Sequence, residues 1–158
     1  MTRIYTDVVG DLFHWGHVNL LKQLRTLGDH LIVGVNTDEL VESYKRRPIL
    51  TLDERVAMVS ACRYVDEVIA GAPAPISVEF IREHKIDIVA RGDDFSSESA
   101  HYWYDAPLQL GIFRTVPYTA GISTSAIIQR ILDRQAEWRP KERRAEERQV
   151  EEASLQYA

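Results

Sequence analysis

Two hydrophobic periods take turns along this chain. Short runs rich in β-branched and apolar residues predict strands at Arg3 to Val9 and Leu31 to Asn36, and between them His17 to Leu27 repeats its apolar positions at helical spacing. The alternation continues with a helix over Leu52 to Cys62, a strand over Val65 to Ala70, a helix over Ile76 to His84 and a short apolar strand over Ile86 to Ala90. Ile112 to Val116 reads as a further strand, followed by a helix from Ser123 to about Arg134. Strands that alternate with helices imply a mostly parallel sheet covered on both faces, joined by right-handed crossovers. The expectation is a Rossmann-like α/β domain over 1–134, with ligands beyond the carboxyl ends of the strands where strand order reverses. A mixed-charge tail over 135–158, WRPKERRAEERQVEE at its centre, reads as a solvated helix interrupted near Pro140.

Composition changes this picture little. With 158 residues the chain suits one core, and it holds no apolar run near the roughly 20 residues that cross a bilayer. No secretory leader is evident at its start, so a cytoplasmic location is the expectation. Cys62 is the single cysteine and gets no chemical role. A net charge of -5 argues against general nucleic-acid binding but leaves room for a local basic site that holds a triphosphate.

Chemistry concentrates where strands end. After the first strand, GDLFHWGHVNLL sets His14 and His17 around Gly16 where a loop enters a helix. A helix N-terminus presents unpaired N–H groups and partial positive charge, two imidazoles there add donors, and glycine allows close approach of a phosphate. After the second strand, ESYKRRPILTLDER places Lys45, Arg46 and Arg47 in a loop; three adjacent cations are commonly plain surface, but this loop leaves the carboxyl end of a strand, within reach of a phosphate chain. The next apolar strand ends in VARGDDF, whose Asp94 can accept from a base amino group or a ribose hydroxyl. Asp93 and Asp94 are adjacent, so their side chains diverge and do not grip one ion. Finally TAGISTSAIIQRI repeats the first pattern: Gly121, Ile122, then the hydroxyls of Ser123 and Thr124 ahead of a helix, suited to more phosphate.

DLFHWGHVNLL resembles the H-x-G-H signature of the nucleotidyltransferase superfamily. With VGVNTDEL, LDERVAMVSACRYVDEVI and GISTSAIIQRI in order, the stretch from Arg3 to Leu132 is similar to the glycerol-3-phosphate, phosphocholine and phosphoethanolamine cytidylyltransferases. The resemblance implies transfer of CMP from CTP to a small phosphorylated alcohol, with Mg²⁺ held mainly by nucleotide phosphates and a homodimeric assembly. It makes His14, His17 and Lys45 catalytic, Lys45 lying ten residues before Arg55 as the family's lysine does. It places Val9, Gly10, Gly16, Asp94, Gly121, Ile122, Ser123 and Thr124 against the nucleotide, and Asp11, Arg55, Arg63 and Arg114 toward acceptor or phosphate groups. Two departures stand out. Val8-Val9-Gly10-Asp11 replaces the family's G-T-F-D, and Tyr118 stands where R-T-x-G-I-S-T-T has arginine, with Arg114 four residues upstream as the candidate replacement. An adenylyltransferase using ATP, and a nucleotide-binding protein without transfer, remain open beside the cytidylyltransferase.

Overall fold

The computed structural model describes residues 1–138. Five strands, β1 (Arg3–Val8), β2 (His30–Val35), β3 (Glu67–Ala70), β4 (Ile88–Gly92) and β5 (Phe113–Val116), form one sheet in the order β3-β2-β1-β4-β5. Every pairing is parallel, as the Rossmann-like expectation requires. The chain winds outward from β1 through β2 to β3, then returns to start again at β4. The reversal falls between β1 and β4, which is the crevice where such sheets bind ligands.

Strand side chains alternate between two layers. On one face Ile4, Leu31, Val33, Val35 and Ala90 pack with Leu21 and Leu24 of α1 (Trp15–Leu24) and Val59 of α3 (Leu52–Ser60). On the other, Tyr5, Ile32 and Val89 pack with Phe80 and Ile81 of α4 (Val78–Glu83) and Tyr104 of α5 (Ser97–Gln109). Burial of each such Leu, Ile or Val contributes about 1.5 to 3 kcal/mol, so the two layers fix the sheet from both sides.

Helix starts follow local chemistry. Thr51 and Glu54 form a capping box on α3, and Thr37, Ser77 and Ser96 cap α2 (Asp38–Glu42), α4 and α5 through their hydroxyls. The sequence pattern did not reveal α2 or α5. The first has only five residues, too few to show a period. In α5 the aromatic run breaks the apolar stripe; Pro107 lies inside the helix and Tyr104 departs from helical geometry at φ -129°, ψ 27°, which kinks it.

Met1–Thr124 forms one compact unit, and a second begins at Ser125. From Ser125 on, α6 (Thr124–Asp133) belongs to the second and runs into a short 3-10 turn (Gln135–Trp138), where Arg134 pairs with Glu137 at 2.6 Å and lies over the Trp138 ring. The tail expected over 135–158 lies outside the described residues from 139 onward. Among the described residues no helix is long and apolar enough to cross a membrane.

Candidate active site

The loop from β1 to α1 turns sharply. Gly10 (φ 71°) and Leu12 (φ 47°) both take left-handed backbone, the second an unusual conformation for a leucine. Asp11 between them is 3% exposed and anchors the loop that carries the basic run. Its carboxylate accepts from the amides of Ile49 and Leu50 at 3.0 to 3.1 Å and pairs with Arg46 at 3.1 Å. Burial pushes the Asp11 carboxyl up, but those two amides and Arg46 outweigh it and hold it below the ordinary carboxylate range. Asp11 thus acts as a brace for the loop.

His14 is the N-cap of α1, with extended backbone, and its ring replaces the usual serine or threonine. The Gly16 amide donates to His14 Nδ1 at 3.1 Å, and the His14 amide donates to His17 Nδ1 at 3.2 Å. Both Nδ1 atoms therefore act as acceptors. A neutral imidazole that accepts at Nδ1 carries its proton at Nε2, so each ring offers an Nε2–H donor. The rings lie 4.0 Å apart, and Phe13 stacks on His17 at 5.3 Å, which fixes the set. Burial, then the neighbouring His14 and Lys45 charges, push His17 down to about 4 against a weaker opposing pull from Asp11; burial also lowers His14. At neutral pH both rings are uncharged donors. Gly16 is needed for this packing, because a Cβ there would sit 2.9 Å from His14 Cε1 and 3.0 Å from Ile122 Cγ2.

The second phosphate-suited segment is tied to the first. Thr124 Oγ1 donates to the Asp11 carbonyl at 2.9 Å, and Asn19 of α1 donates to Thr119 at 2.8 Å. Gly121 is exposed at φ 85°, and Ile122 packs beside Gly16. Tyr118 uses its amide on Asp93 at 2.8 Å and its hydroxyl on the Ile122 carbonyl at 3.4 Å. Asp93 is thereby engaged, whereas the exposed Asp94 side chain lies 3.8 Å from Arg91. Lys45 is exposed and has no ion pair among the described residues, yet lies close enough to His17 for its charge to act on that ring.

Three of the expected cations stand elsewhere. Arg55 is fully buried: it donates to the carbonyls of Val9 and Leu50 and pairs with Asp38, joining the loops around the site from inside. Arg63 is exposed in the connection from α3 into β3, at the amino ends of the strands, opposite the histidines. Arg114 donates to the carbonyls of Gly111 and Phe113, at the amino end of β5, and so is not brought to the place of the missing arginine. Among the described residues no three His, Cys, Asp or Glu converge as metal ligands.

Asp7, Tyr44 and Arg91 form a cluster with Tyr104 that the sequence reading did not assign to the site. Tyr104 donates its hydroxyl to Asp7 at 2.6 Å, and burial raises the Asp7 carboxyl although Tyr104 and Arg91 pull it down. Burial and then the Asp7 charge raise the Tyr44 hydroxyl, with Arg91 opposing, which sets Tyr44 beside the same pair. The sequence signal was a charge at the end of an otherwise buried strand, RIYTDV, on the same face as Tyr5.

A parallel sheet with a reversal point, a histidine-capped helix and a glycine-hydroxyl segment beside it make up the candidate site. Residues 10–130 match the Cytidylyltransferase-like family, and the chain belongs to it. It is 41% identical to the ethanolamine-phosphate cytidylyltransferase of Dictyostelium discoideum, over 93% of this chain and 42% of that protein. It is 43% identical to the choline-phosphate cytidylyltransferase A of Rattus norvegicus, over 82% of this chain and 36% of the other. The chain thus spans less than half the length of these curated relatives. Among solved structures, the lipopolysaccharide core biosynthesis protein from Thermoplasma volcanium GSS1 superimposes with a TM-score of 0.62 at 29% identity, covering 77% of this chain and 99% of that one.

Proposed function

We propose that this protein transfers CMP from CTP to a small phosphorylated alcohol and releases pyrophosphate, as the names of its relatives suggest. The observation that carries this reading is the pair of Nδ1 atoms held by backbone amides, which leaves two neutral Nε2–H donors at the N-terminus of α1. The acceptor phosphate attacks the α-phosphorus in line, the bond to the β-phosphate oxygen breaks, and the electron pair leaves with pyrophosphate. A phosphate monoester is already an anion near neutral pH, so no general base is required. His14 and His17 donate to oxygens that gain charge in the transition state, and Lys45 neutralises the triphosphate. Asp94 contacts the cytidine, and the 121–124 segment contacts the terminal phosphates. A Mg²⁺ ion, held mainly by the nucleotide phosphates, would supply Lewis-acid stabilisation of the same charge. A homodimer in the cytoplasm fits the same reading.

Pyrophosphate release with Mg²⁺ and either CTP or ATP tests it, against glycerol 3-phosphate, phosphocholine, phosphoethanolamine and a phosphonate. Turnover with CTP and one acceptor is the expected result. Turnover with ATP alone makes the protein an adenylyltransferase. CTP binding with no transfer to any acceptor favours a nucleotide-binding protein, the reading that Tyr118 in place of arginine supports.

A further inference from the structure

The cluster around Arg91 has a chemistry of its own. β1 and β4 pair with Ile4 beside Ile88 and Tyr5 beside Val89; two residues further along that register, Asp7 and Arg91 stand side by side at the crevice between the strands, on the face opposite α1. The Arg91 guanidinium lies 4.4 Å from the centre of the Phe95 ring and 5.2 Å from that of Tyr104. Trp103 and Tyr44 continue the aromatic wall, their rings 5.1 Å apart. Such rings around a carboxylate are the kind of enclosure that accepts an ammonium group. Here the chain's own cation already occupies two of the ring faces.

That cation is also unsatisfied. Arg91 keeps a quarter of its side chain exposed, its nearest carboxylate oxygen is that of Asp94 at 3.8 Å, beyond hydrogen-bond reach, and its N–H groups have no hydrogen-bond partner among the described residues. The Tyr104 hydroxyl beside it is already directed to Asp7. A guanidinium held over two ring faces, with no hydrogen-bond partner among the described residues, is preorganised to bind oxygen. Asp7 stands at the carboxyl end of β1, from which the loop to His14 and α1 departs, and Tyr44, whose ring lies 5.1 Å from that of Trp103, is followed directly by Lys45.

We infer that Arg91 receives the tail of the phosphorylated acceptor and selects one bearing oxygen, as hydroxyl or carboxylate, over one bearing an ammonium group. This rests on the transferase reading above and narrows its acceptor. Both kinds of oxygen tail share the chemistry, a hydrogen-bond acceptor for the guanidinium. An ammonium tail has none, and it meets a like charge between the rings.

The test uses the full chain with CTP and Mg²⁺ and four acceptors: glycerol 3-phosphate, 3-phosphoglycerate, phosphoethanolamine and phosphocholine. One of the two oxygen-tailed acceptors is expected to exceed both ammonium acceptors in kcat/KM, by about tenfold to a hundredfold, the range of a hydrogen bond to a charged group. Arg91→Met keeps the apolar stem and is expected to erase that ratio while the KM for CTP stays within about twofold. Calorimetric titration of the same acceptors onto both proteins, with CTP present in place of a turnover readout, gives the ratio independently of transfer. No pyrophosphate with the binding ratio intact overturns the transferase reading and leaves Arg91 as assigned. A wild-type preference for an ammonium acceptor, a ratio unchanged in Arg91→Met, or no acceptor binding at all overturns the assignment of Arg91.

Discussion

The two sides of the crevice are built by opposite strategies. On the α1 side, the two histidines lie within four residues, from His14 to His17, and the Nδ1 of each ring is held by a backbone amide. On the α5 side, Asp7, Tyr44, Arg91 and Tyr104 come from four separate elements or loops, and the central guanidinium is held by ring faces with its donors free. Local backbone bonds give one side fixed geometry, which in the proposed reaction suits the ligand part common to every acceptor, the phosphate chain. Long-range packing gives the other side groups that can be exchanged one at a time, which suits the part of a ligand that varies between relatives.

Changes on the two sides should separate accordingly. The largest effect is expected from His17→Ala, which removes a transition-state donor: kcat should fall about 10² to 10³-fold with every acceptor while the circular dichroism spectrum is retained. A wild-type rate would remove the α1 side from the chemistry. Gly16→Ala comes next, because the added Cβ displaces the His14 ring; a shift on the order of 1 Å costs up to about 10²-fold in kcat, read with saturating CTP. Tyr104→Phe deletes the hydroxyl on Asp7 and should raise the acceptor KM by about tenfold or less, leaving the KM for CTP alone. An equal rise in both would mean that the two sides act as one.

The smallest effect is a slope of stability against pH. His17 has a folded-state value of about 4 against an ordinary 6.5, so between these limits the unfolded chain binds the extra proton and the folded chain does not. Its contribution to stability is therefore intact above about 6.5 and is lost as pH falls toward 4. Denaturant titrations across that window should show this component in the wild type and a shallower dependence in His17→Asn.

Legibility followed the same division. The parallel sheet could be read from alternating periods because each strand and crossover announces itself locally. His14, Gly16 and His17 could be read because helix entry, glycine and imidazoles fall in one short segment. Asp7 and Arg91 could not, since only the pairing of β1 with β4 makes neighbours of residues 84 positions apart in the chain. The burial of Arg55, expected toward acceptor or phosphate groups, was not legible for a related reason: a charged residue on a helix gives no sign from sequence of whether it faces solvent or loop carbonyls. The Arg114 and Arg63 side chains belong to the opposite or upstream ends of their strands, a direction that residue type does not encode.

The buried Arg55 has a consequence for mutational tolerance. Its three engaged nitrogens point to Leu50, Val9 and Asp38, acceptors on three different stretches of chain. Lysine keeps the charge but supplies a single ammonium that cannot span that fork, so the replacement that looks mildest on paper should be poorly tolerated. In a scan that scores every substitution by surviving function, position 55 should look as intolerant as the histidines while touching no substrate atom.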